Sequence, residues 1–297
     1  MKPIKIILDT DIADDIDDAY ALKYALSFLE LELLGVTTVY KNVHQRSQMT
    51  KHLLALEGKS EIEVYAGLDN PLNGIAQPFP CEKVVGDKIQ LLSYKDCYKN
   101  IKYSEVSAVS FILDTIKKTK GDMYIVAIGP LTNLATAANK NPELFKTLKG
   151  IYTMGGTPLG YHEWNIMVDP EAAKIIYGLG VPITAIGVDI TEKTTFTDDE
   201  FNRAKLLHGK SCNYIVSMMN EWYTANKRNP VMHDSLAIDA IVNKHMDYKG
   251  FDVVVPLDKD NRGKTICTPN DKSHVRFATS LKRDEFMSMF FNIMEGK

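Results

Sequence analysis

The sequence lacks the cysteine patterns that would stabilise a small secreted fold or hold a zinc ion. It contains four cysteines, well separated and without a CxxC pair: Cys81, Cys97, Cys212 and Cys267. Such spacing is typical of reduced thiols in a reducing compartment. A disulfide scaffold is therefore excluded, and a cytoplasmic location is expected.

An excess of positive charge and long apolar runs are missing as well. Lys and Arg number 35 and Asp and Glu 38, which gives a net charge of −3. Proteins that bind nucleic acids usually carry a basic face, so a nucleic-acid partner is not expected. No apolar run approaches the roughly 18 residues of a transmembrane helix. The N-terminus has no hydrophobic stretch with a cleavage site, so neither a signal peptide nor a membrane partner is expected.

What remains is an ordinary globular composition, with 45% hydrophobic and 25% charged residues over 297 positions. There are no repeats, low-complexity segments or Pro/Gly/Ser-rich linkers. A chain of this length can bury a sizeable core without disulfide bonds or structural metal ions. We therefore predict one domain spanning residues 1–297.

Short apolar runs alternate with amphipathic stretches along the chain. Runs rich in Ile and Val suit strands buried on both faces, as in a parallel sheet. The predicted strands are 4–8, 33–40, 123–128, 150–154 and 181–188. The predicted helices are about 17–31, 45–57, 105–118, 131–139, 170–178, 198–207, 214–226, 235–242 and 282–294. A long loop is predicted over 70–100 and a late hairpin over 252–264. This alternation predicts an α/β fold with an open, mostly parallel twisted sheet flanked by helices.

The densest chemical signal is an acidic loop directly after the first predicted strand. Six aspartates occur within residues 9–18, at the start of the first predicted helix. One of them, Asp15, could cap that helix, and another could favour its dipole. Six crowded carboxylates repel one another, however, and either raise their pKa values or need a cation. The loop therefore predicts a site for a hard divalent ion with oxygen ligands.

Two familiar acidic loops can be compared with this one. An EF-hand is excluded because the positions that require Gly and Glu hold Asp14 and Tyr20. A magnesium-dependent phosphohydrolase of the haloacid dehalogenase type would use Asp9 as its nucleophile. That family continues with Thr or Val where this chain has Ala13, and it does not require the Asp17-Asp18 pair. The phosphohydrolase remains an alternative.

Polar motifs follow several other predicted strands. Ligands in open α/β sheets bind outside the carboxyl ends of the strands, which is where we expect the active site. The motifs that follow the strands, or stand late in the chain, are Gly-Val-Thr-Thr-Val-Tyr-Lys-Asn (35–42), Gly-Pro-Leu-Thr-Asn (129–133), Met-Gly-Gly (154–156), Glu-Trp-Asn (163–165), Asp-Pro-Glu-Ala-Ala (169–173) and His-Asp (233–234).

Together with Asp-Thr-Asp (9–11) and Asp-Asp (17–18), these motifs occur in the order found in inosine–uridine-preferring nucleoside hydrolases, a family that the chain closely resembles. The resemblance covers most of the chain. It implies a calcium-dependent enzyme that cleaves the N-glycosidic bond of a ribonucleoside to ribose and free base, as in nucleoside salvage. By analogy with the family, a homo-oligomer, either a dimer or a tetramer, is also expected.

The resemblance implies a role for individual residues. The implied calcium ligands are Asp11, Asp18, Asp234 and the carbonyl of Ile128. The implied ribose contacts are Asp17, Asn42, Glu163 and Asn165. Asp11 would act as general base on a calcium-polarised water, and His233 matches the position that protonates the leaving base in one branch of the family.

The chain departs from the family in several loops. The segment between Asp11 and Asp17 is two residues longer, so Asp14 or Asp15 could take over a role assigned to Asp17 or Asp18. Residues 157–162 replace a Gly-Asn that would contact ribose, Trp164 replaces a Phe, and the 70–90 loop lacks a His near the base. A ribose- or nucleoside-binding protein without turnover therefore remains a third alternative, and the preferred base is left open.

Overall fold

The computed structural model describes residues 2–13, 15–73 and 91–297. Within them the strands are β1 Ile4–Thr10, β2 Leu31–Thr38, β3 Val64–Ala66, β4 Tyr124–Ala127, β5 Gly150–Met154, β6 Ile183–Ile186, β7 Met246–Val254, β8 Ile266–Pro269 and β9 Val275–Leu281.

The helices are α1 Asp17–Leu26, α2 Val43–Leu56, α3 Ala108–Thr119, α4 Thr132–Lys140, α5 Pro142–Phe145, α6 Trp164–Val168, α7 Pro170–Gly178, α8 Val188–Thr191, α9 Asp198–Lys205, α10 Lys210–Asn226, α11 Ser235–Val242 and α12 Arg283–Met294. Short 3₁₀ helices span Asp96–Asn100 and Glu192–Thr194.

The strands form one sheet in the order β3-β2-β1-β4-β5-β6-β9-β7-β8. Neighbours from β3 to β9 pair in parallel, whereas β7 runs antiparallel to both β9 and β8. The prediction of a mostly parallel α/β sheet flanked by helices is therefore confirmed. The carboxyl ends of the parallel strands meet at one edge, where the loops with the polar motifs begin.

Helices cover both faces of the sheet, which explains the nearly continuous apolarity of the central strands. Successive side chains of a strand point to opposite faces. Ile6 and Leu8 accordingly pack in the core that includes α1, α2 and α9–α12. Ile7 between them packs in the core that includes α3, α4, α5 and α7. Burial on both faces is the condition that favours such strands.

Some predicted boundaries were wrong. Helix α1 ends at Leu26 instead of residue 31, because Leu31 already pairs with Ile4 in the sheet. The late hairpin does exist, but its strands β7 and β8 flank residues 255–265 instead of lying within 252–264. The predicted 70–100 loop lies partly outside the described residues, and its described end contains a 3₁₀ helix.

Two further expectations can be compared with the described part of the chain. Cys97, Cys212 and Cys267 are free thiols there, whereas Cys81 lies outside the described residues. No helix among residues 2–13, 15–73 and 91–297 combines the length and the apolarity needed to cross a membrane.

Candidate active site

Three buried aspartates from two distant parts of the chain meet at the carboxyl edge of the sheet. Asp17 and Asp18 open helix α1, and Asp234 directly precedes α11. Each carboxylate offers an oxygen, and these atoms all lie within 4.8 Å of one another. None of the three residues is more than 4% exposed. The group could therefore bind a metal ion.

The electrostatics of this group favour a cation. Burial raises the pKa of Asp17 well above its usual range, and the charges of Asp15 and Asp11 raise it further. Burial also raises the pKa of Asp234, as do the charges of Asp17, Asp18 and Asp11. Buried carboxylates that resist ionisation beside one another are stabilised by an opposite charge. A donor set made only of oxygens fits a hard divalent ion.

Local hydrogen bonds hold the group together. The backbone N–H of Asp234 donates to Oδ2 of Asp17 at 3.3 Å. The Thr10 hydroxyl, at the end of β1, donates to Oδ1 of Asp18. These contacts join the end of β1 and the starts of α1 and α11. The cluster is thus built by the tertiary fold as well as by the acidic loop.

Asp15, a described acidic residue of the same loop, lies outside this group. The expectation that Asp15 caps α1 was wrong: the N-cap is Ile16, and no side chain caps the helix. The Asp15 carboxylate instead accepts from the backbone N–H of Ile16 at 2.7 Å and lies 3.6 Å from Arg228 Nη2. Asp14 lies outside the described residues. The longer loop has therefore not moved Asp15 into the positions of Asp17 and Asp18.

Asp11 stands beside the group, at the end of β1, and is only 4% exposed. Gly129 makes room for it, since a Cβ at this glycine would come within 2.7 Å of Asp11 Oδ1. The neighbouring carbonyl of Ile128 accepts from Asn165 Nδ2 at 3.0 Å. Two of the four implied calcium ligands, Asp18 and Asp234, thus belong to the three-carboxylate group, and Asp17 is its third member. A further implied ligand, Asp11, raises the pKa of Asp17 and of Asp234.

Asp9 is held by polar side chains of β2 and α4. Its side chain is fully buried, and Oδ1 accepts from the Thr37 hydroxyl and from Asn133 Nδ2, the latter at 2.8 Å. Its Oδ2 has no hydrogen-bond partner among the described residues. Burial raises its pKa to about 7. A nucleophile must contact its phosphate ester, so this burial argues against the phosphohydrolase alternative.

The implied ribose contacts other than Asp17 come from two segments at the same edge. Asn42 has a left-handed backbone (φ 53°) before α2, and its side chain does not cap that helix. Glu163 caps α6 by accepting from the N–H groups of Asn165 and Ile166, and it also accepts from Gly156 N–H at 2.9 Å. Asn165 Nδ2 bridges the carbonyls of Ile128 and Met154, at 3.0 Å each. Because Nδ2 is occupied in this way, Oδ1 is the atom of this side chain best suited to a ligand.

His233 is next to Asp234 in the chain and is partly buried. Its Nδ1 lies 2.6 Å from the hydroxyl of Thr191, at the end of α8. Burial, and secondarily the charge of Arg228, lowers the pKa of His233 to about 4. The imidazole is thus held by a neighbour that the sequence did not single out.

Three residues at this edge escaped sequence reasoning: Arg46, Thr191 and Asn133. Asn133 stood within a quoted motif, but its bond to Asp9 depends on the packing of α4 against β1. An arginine in a predicted helix is expected at the exposed surface, but Arg46 is fully buried in the structure. The sequence carried no signal of this burial, because an arginine in a predicted helix is usually exposed.

Fold and site together define an enzyme of the parallel α/β class with a buried carboxylate centre. The family model "Inosine-uridine preferring nucleoside hydrolase" matches residues 6–288. The chain belongs to this family, and the resemblance drawn from its motifs is confirmed. It is accordingly an enzyme that hydrolyses ribonucleosides to ribose and free base.

Individual relatives support the assignment. Uridine nucleosidase 1 of Arabidopsis thaliana is 33% identical over 254 residues, which cover 81% of this chain and 74% of the relative. A solved plant nucleoside hydrolase, the PpNRh1 enzyme, is 26% identical with a TM-score of 0.87, over 99% of this chain and all of the other. The purine-preferring ribonucleoside hydrolase from Gardnerella vaginalis is 29% identical with a TM-score of 0.86, over 98% of both chains.

Proposed function

We propose that this nucleoside hydrolase works with Ca²⁺ held by Asp17, Asp18 and Asp234, with Asp11 and the Ile128 carbonyl completing the oxygen ligands. The observation that carries this proposal is the buried group of three carboxylates with oxygens within 4.8 Å of one another. Calcium suits such a group better than magnesium, because it accepts six to eight oxygens in irregular geometry. When bound, the ion would orient the ribose diol and polarise a water molecule.

Asp11 is proposed as the general base. In the reaction the water oxygen bonds to C1′ of the ribose, the C1′–N bond breaks, and its electron pair leaves with the base. The proton released by the water goes to the carboxylate of Asp11, which lies beside the group. Positive charge develops on the sugar ring in such a transition state. Fixed carboxylates near the ring stabilise that charge without reorganising.

Three further side chains are proposed to hold the ribose together with Asp17. Asn42 offers an amide that does not cap its helix. Asn165 offers Oδ1, since its Nδ2 is engaged with two carbonyls. Glu163 accepts from three backbone N–H groups and keeps acceptor capacity, because a carboxylate has about four lone-pair sites.

His233 is proposed to assist the departing base. The Thr191 hydroxyl lies 2.6 Å from Nδ1, so Nε2 is the ring nitrogen proposed to face the base. In the protonated ring, Nε2 can donate its proton to a base nitrogen and leave a neutral imidazole. Because burial lowers the pKa of His233 to about 4, the protonated form, and this assistance with it, should increase as the pH falls. General acid assistance of this kind contributes typically ~10²–10⁴-fold. Its importance depends on how poorly the base leaves.

The test is a panel of purine and pyrimidine ribonucleosides, followed by release of the free base. Both classes belong in it, because one relative is named for uridine and another for purines. We expect release from at least one nucleoside, its loss after chelation, and its recovery with Ca²⁺ more than with Mg²⁺. Recovery with Mg²⁺ alone would contradict calcium dependence. Phosphate release from esters would favour the phosphohydrolase, and ribose binding without base release would favour a binding protein.

We also propose a cytoplasmic location and a homo-oligomer, dimer or tetramer. The free thiols Cys97, Cys212 and Cys267 support a reducing compartment. The oligomer is proposed by analogy with the family. Light scattering on the purified protein would measure its mass directly, and a monomer would contradict it.

A further inference from the structure

Arg46 is a fully buried arginine on α2, one turn after Asn42. Its Nε donates to the carbonyls of Tyr40 and Lys41, at 2.8 Å each. Its Nη1 donates to the carbonyl of Ile12 at 2.6 Å and also to that of Asp11. Burying a guanidinium is unfavourable unless its donors are well satisfied. Here the guanidinium bridges two separate backbone segments.

The first segment is the start of the acidic loop. Asp11 and Ile12 directly follow β1, and Ala13 has a left-handed backbone with φ of 85°. This chain reversal leads from Asp11 towards Asp17 and Asp18. The Arg46 guanidinium satisfies both carbonyls at the point where the chain leaves the sheet.

The second segment is a turn in which Tyr40, Lys41 and Asn42 are all left-handed, with φ of 61°, 40° and 53°. Residues other than glycine are strained in this region and persist only where their surroundings impose it. The N–H groups of Tyr40 and Lys41 donate to the carbonyls of Leu68 and Asp69, at 2.8 Å each. Their own carbonyls are turned to Arg46. The turn is therefore held from both sides, and it ends at Asn42.

We propose that Arg46 is a positioning residue that fixes Asp11, with the start of the acidic loop, relative to Asn42, so that the metal centre and the ribose contact are assembled together. This role rests on the proposed function, because it assumes that Asp11 and Asn42 serve the metal and the ribose. The planar fork of arginine can address four carbonyls on two segments. A lysine ammonium is a compact point charge and cannot reproduce that bridge.

The test uses Arg46→Lys and Arg46→Ala in the full chain. Loss of a group that orients metal ligands typically lowers metal affinity or activity about 10–100-fold. We expect this loss in calcium affinity, measured by calorimetry on protein without substrate, for both variants. KM for the nucleoside should rise as well, because the Asn42 turn is released. Guanidinium at tens of millimolar should partly restore calcium binding to Arg46→Ala, whereas methylammonium at the same concentration should not.

Arg276→Lys is the control for the same substitution at an exposed arginine. Arg276 bonds the Thr184 hydroxyl at 2.8 Å on strands β9 and β6, away from the acidic loop. This variant should keep the calcium affinity and KM of the wild type. Wild-type calcium affinity in both Arg46 variants, each folded by circular dichroism, would overturn the positioning role while leaving the proposed function intact. A wild-type protein that binds no calcium would instead contradict the proposed function itself.

Discussion

Replacing Asp234 by Asn should make the protein more stable without calcium and less stable with it. The side chain belongs to a group of three buried carboxylates whose oxygens lie within 4.8 Å of one another. The substitution keeps the shape of the side chain but removes one negative charge. Without a cation, that charge is repelled by the other two carboxylates and destabilises the folded protein. With a cation bound, the same carboxylate is a ligand and stabilises it.

The size of the effect follows from the separation of the charges. Two unit charges 4.8 Å apart interact by about 3.5 kcal/mol at an effective dielectric constant of about 20. Burial and the neighbouring carboxylates raise the pKa of Asp17 and of Asp234, and uptake of a proton relieves part of this repulsion. We therefore expect Asp234→Asn to gain about 1–2 kcal/mol without calcium. At roughly 2–4 °C per kcal/mol, its melting temperature should rise by about 2–8 °C.

Calcium should reverse this order. An ion that binds only the folded state contributes about 2.7 kcal/mol when present at about 100 times its dissociation constant. The wild type should show that stabilisation, and Asp234→Asn should lose most of it. The assay is thermal unfolding of chelator-treated protein, with and without added CaCl₂.

Asp169→Asn provides the control. Asp169 is also fully buried, but its carboxylate accepts from Thr132, Leu72 and Ala172 and does not belong to the three-carboxylate group. This variant should lose about 1–3 kcal/mol in both conditions, because it weakens satisfied hydrogen bonds, and it should keep the calcium shift. If Asp234→Asn kept the full calcium shift, or melted below the wild type without calcium, the reasoning about the three carboxylates would be refuted.

Two further outcomes are expected. His233→Ala should slow hydrolysis of nucleosides with poor leaving bases by ~10²–10⁴-fold and leave nitrophenyl riboside nearly unaffected. Thr191→Val should reproduce part of that loss. An equal loss of activity on both kinds of substrate would show that His233 does not protonate the leaving base. Gly129→Ala should lower kcat and calcium affinity at least about 10-fold, because its Cβ would approach Asp11 Oδ1 to 2.7 Å. Gly178→Ala, whose Cβ would meet nothing within 4 Å, should change neither, and unaltered calorimetry of Gly129→Ala would contradict the steric argument.

The class of fold could be predicted from the sequence because it depends on local patterns. Runs rich in Ile and Val indicated the central parallel strands, and the helices α7 and α11 have the predicted bounds. The antiparallel end of the sheet could not be predicted in the same way. Strand β9 inserts between β6 and β7, and such pairing depends on long-range contacts that no local pattern encodes.

The kind of chemistry at the candidate site could also be predicted from the sequence, because crowded aspartates after a strand either raise one another's pKa values or need a cation. The ordered motifs from Asp9 to Asp234 were sufficient to indicate the family, which the family match over residues 6–288 confirms. The functions of individual carboxylates were less visible. Six neighbouring aspartates look alike in a sequence, and only their burial and partners distinguish them.

The sequence by itself determined the kind of protein: a parallel α/β enzyme with an acidic centre at the strand ends. Only the tertiary structure decided which carboxylates meet, bringing Asp17 against Asp234 across 217 positions of the chain. It also decided that Asp9 is fully buried and that the buried Arg46 side chain donates hydrogen bonds to two separate loops. The physical reason is that composition and periodicity express what each segment can do locally. Distances between segments, and the desolvation that shifts a carboxylate's pKa, exist only once those segments are packed together.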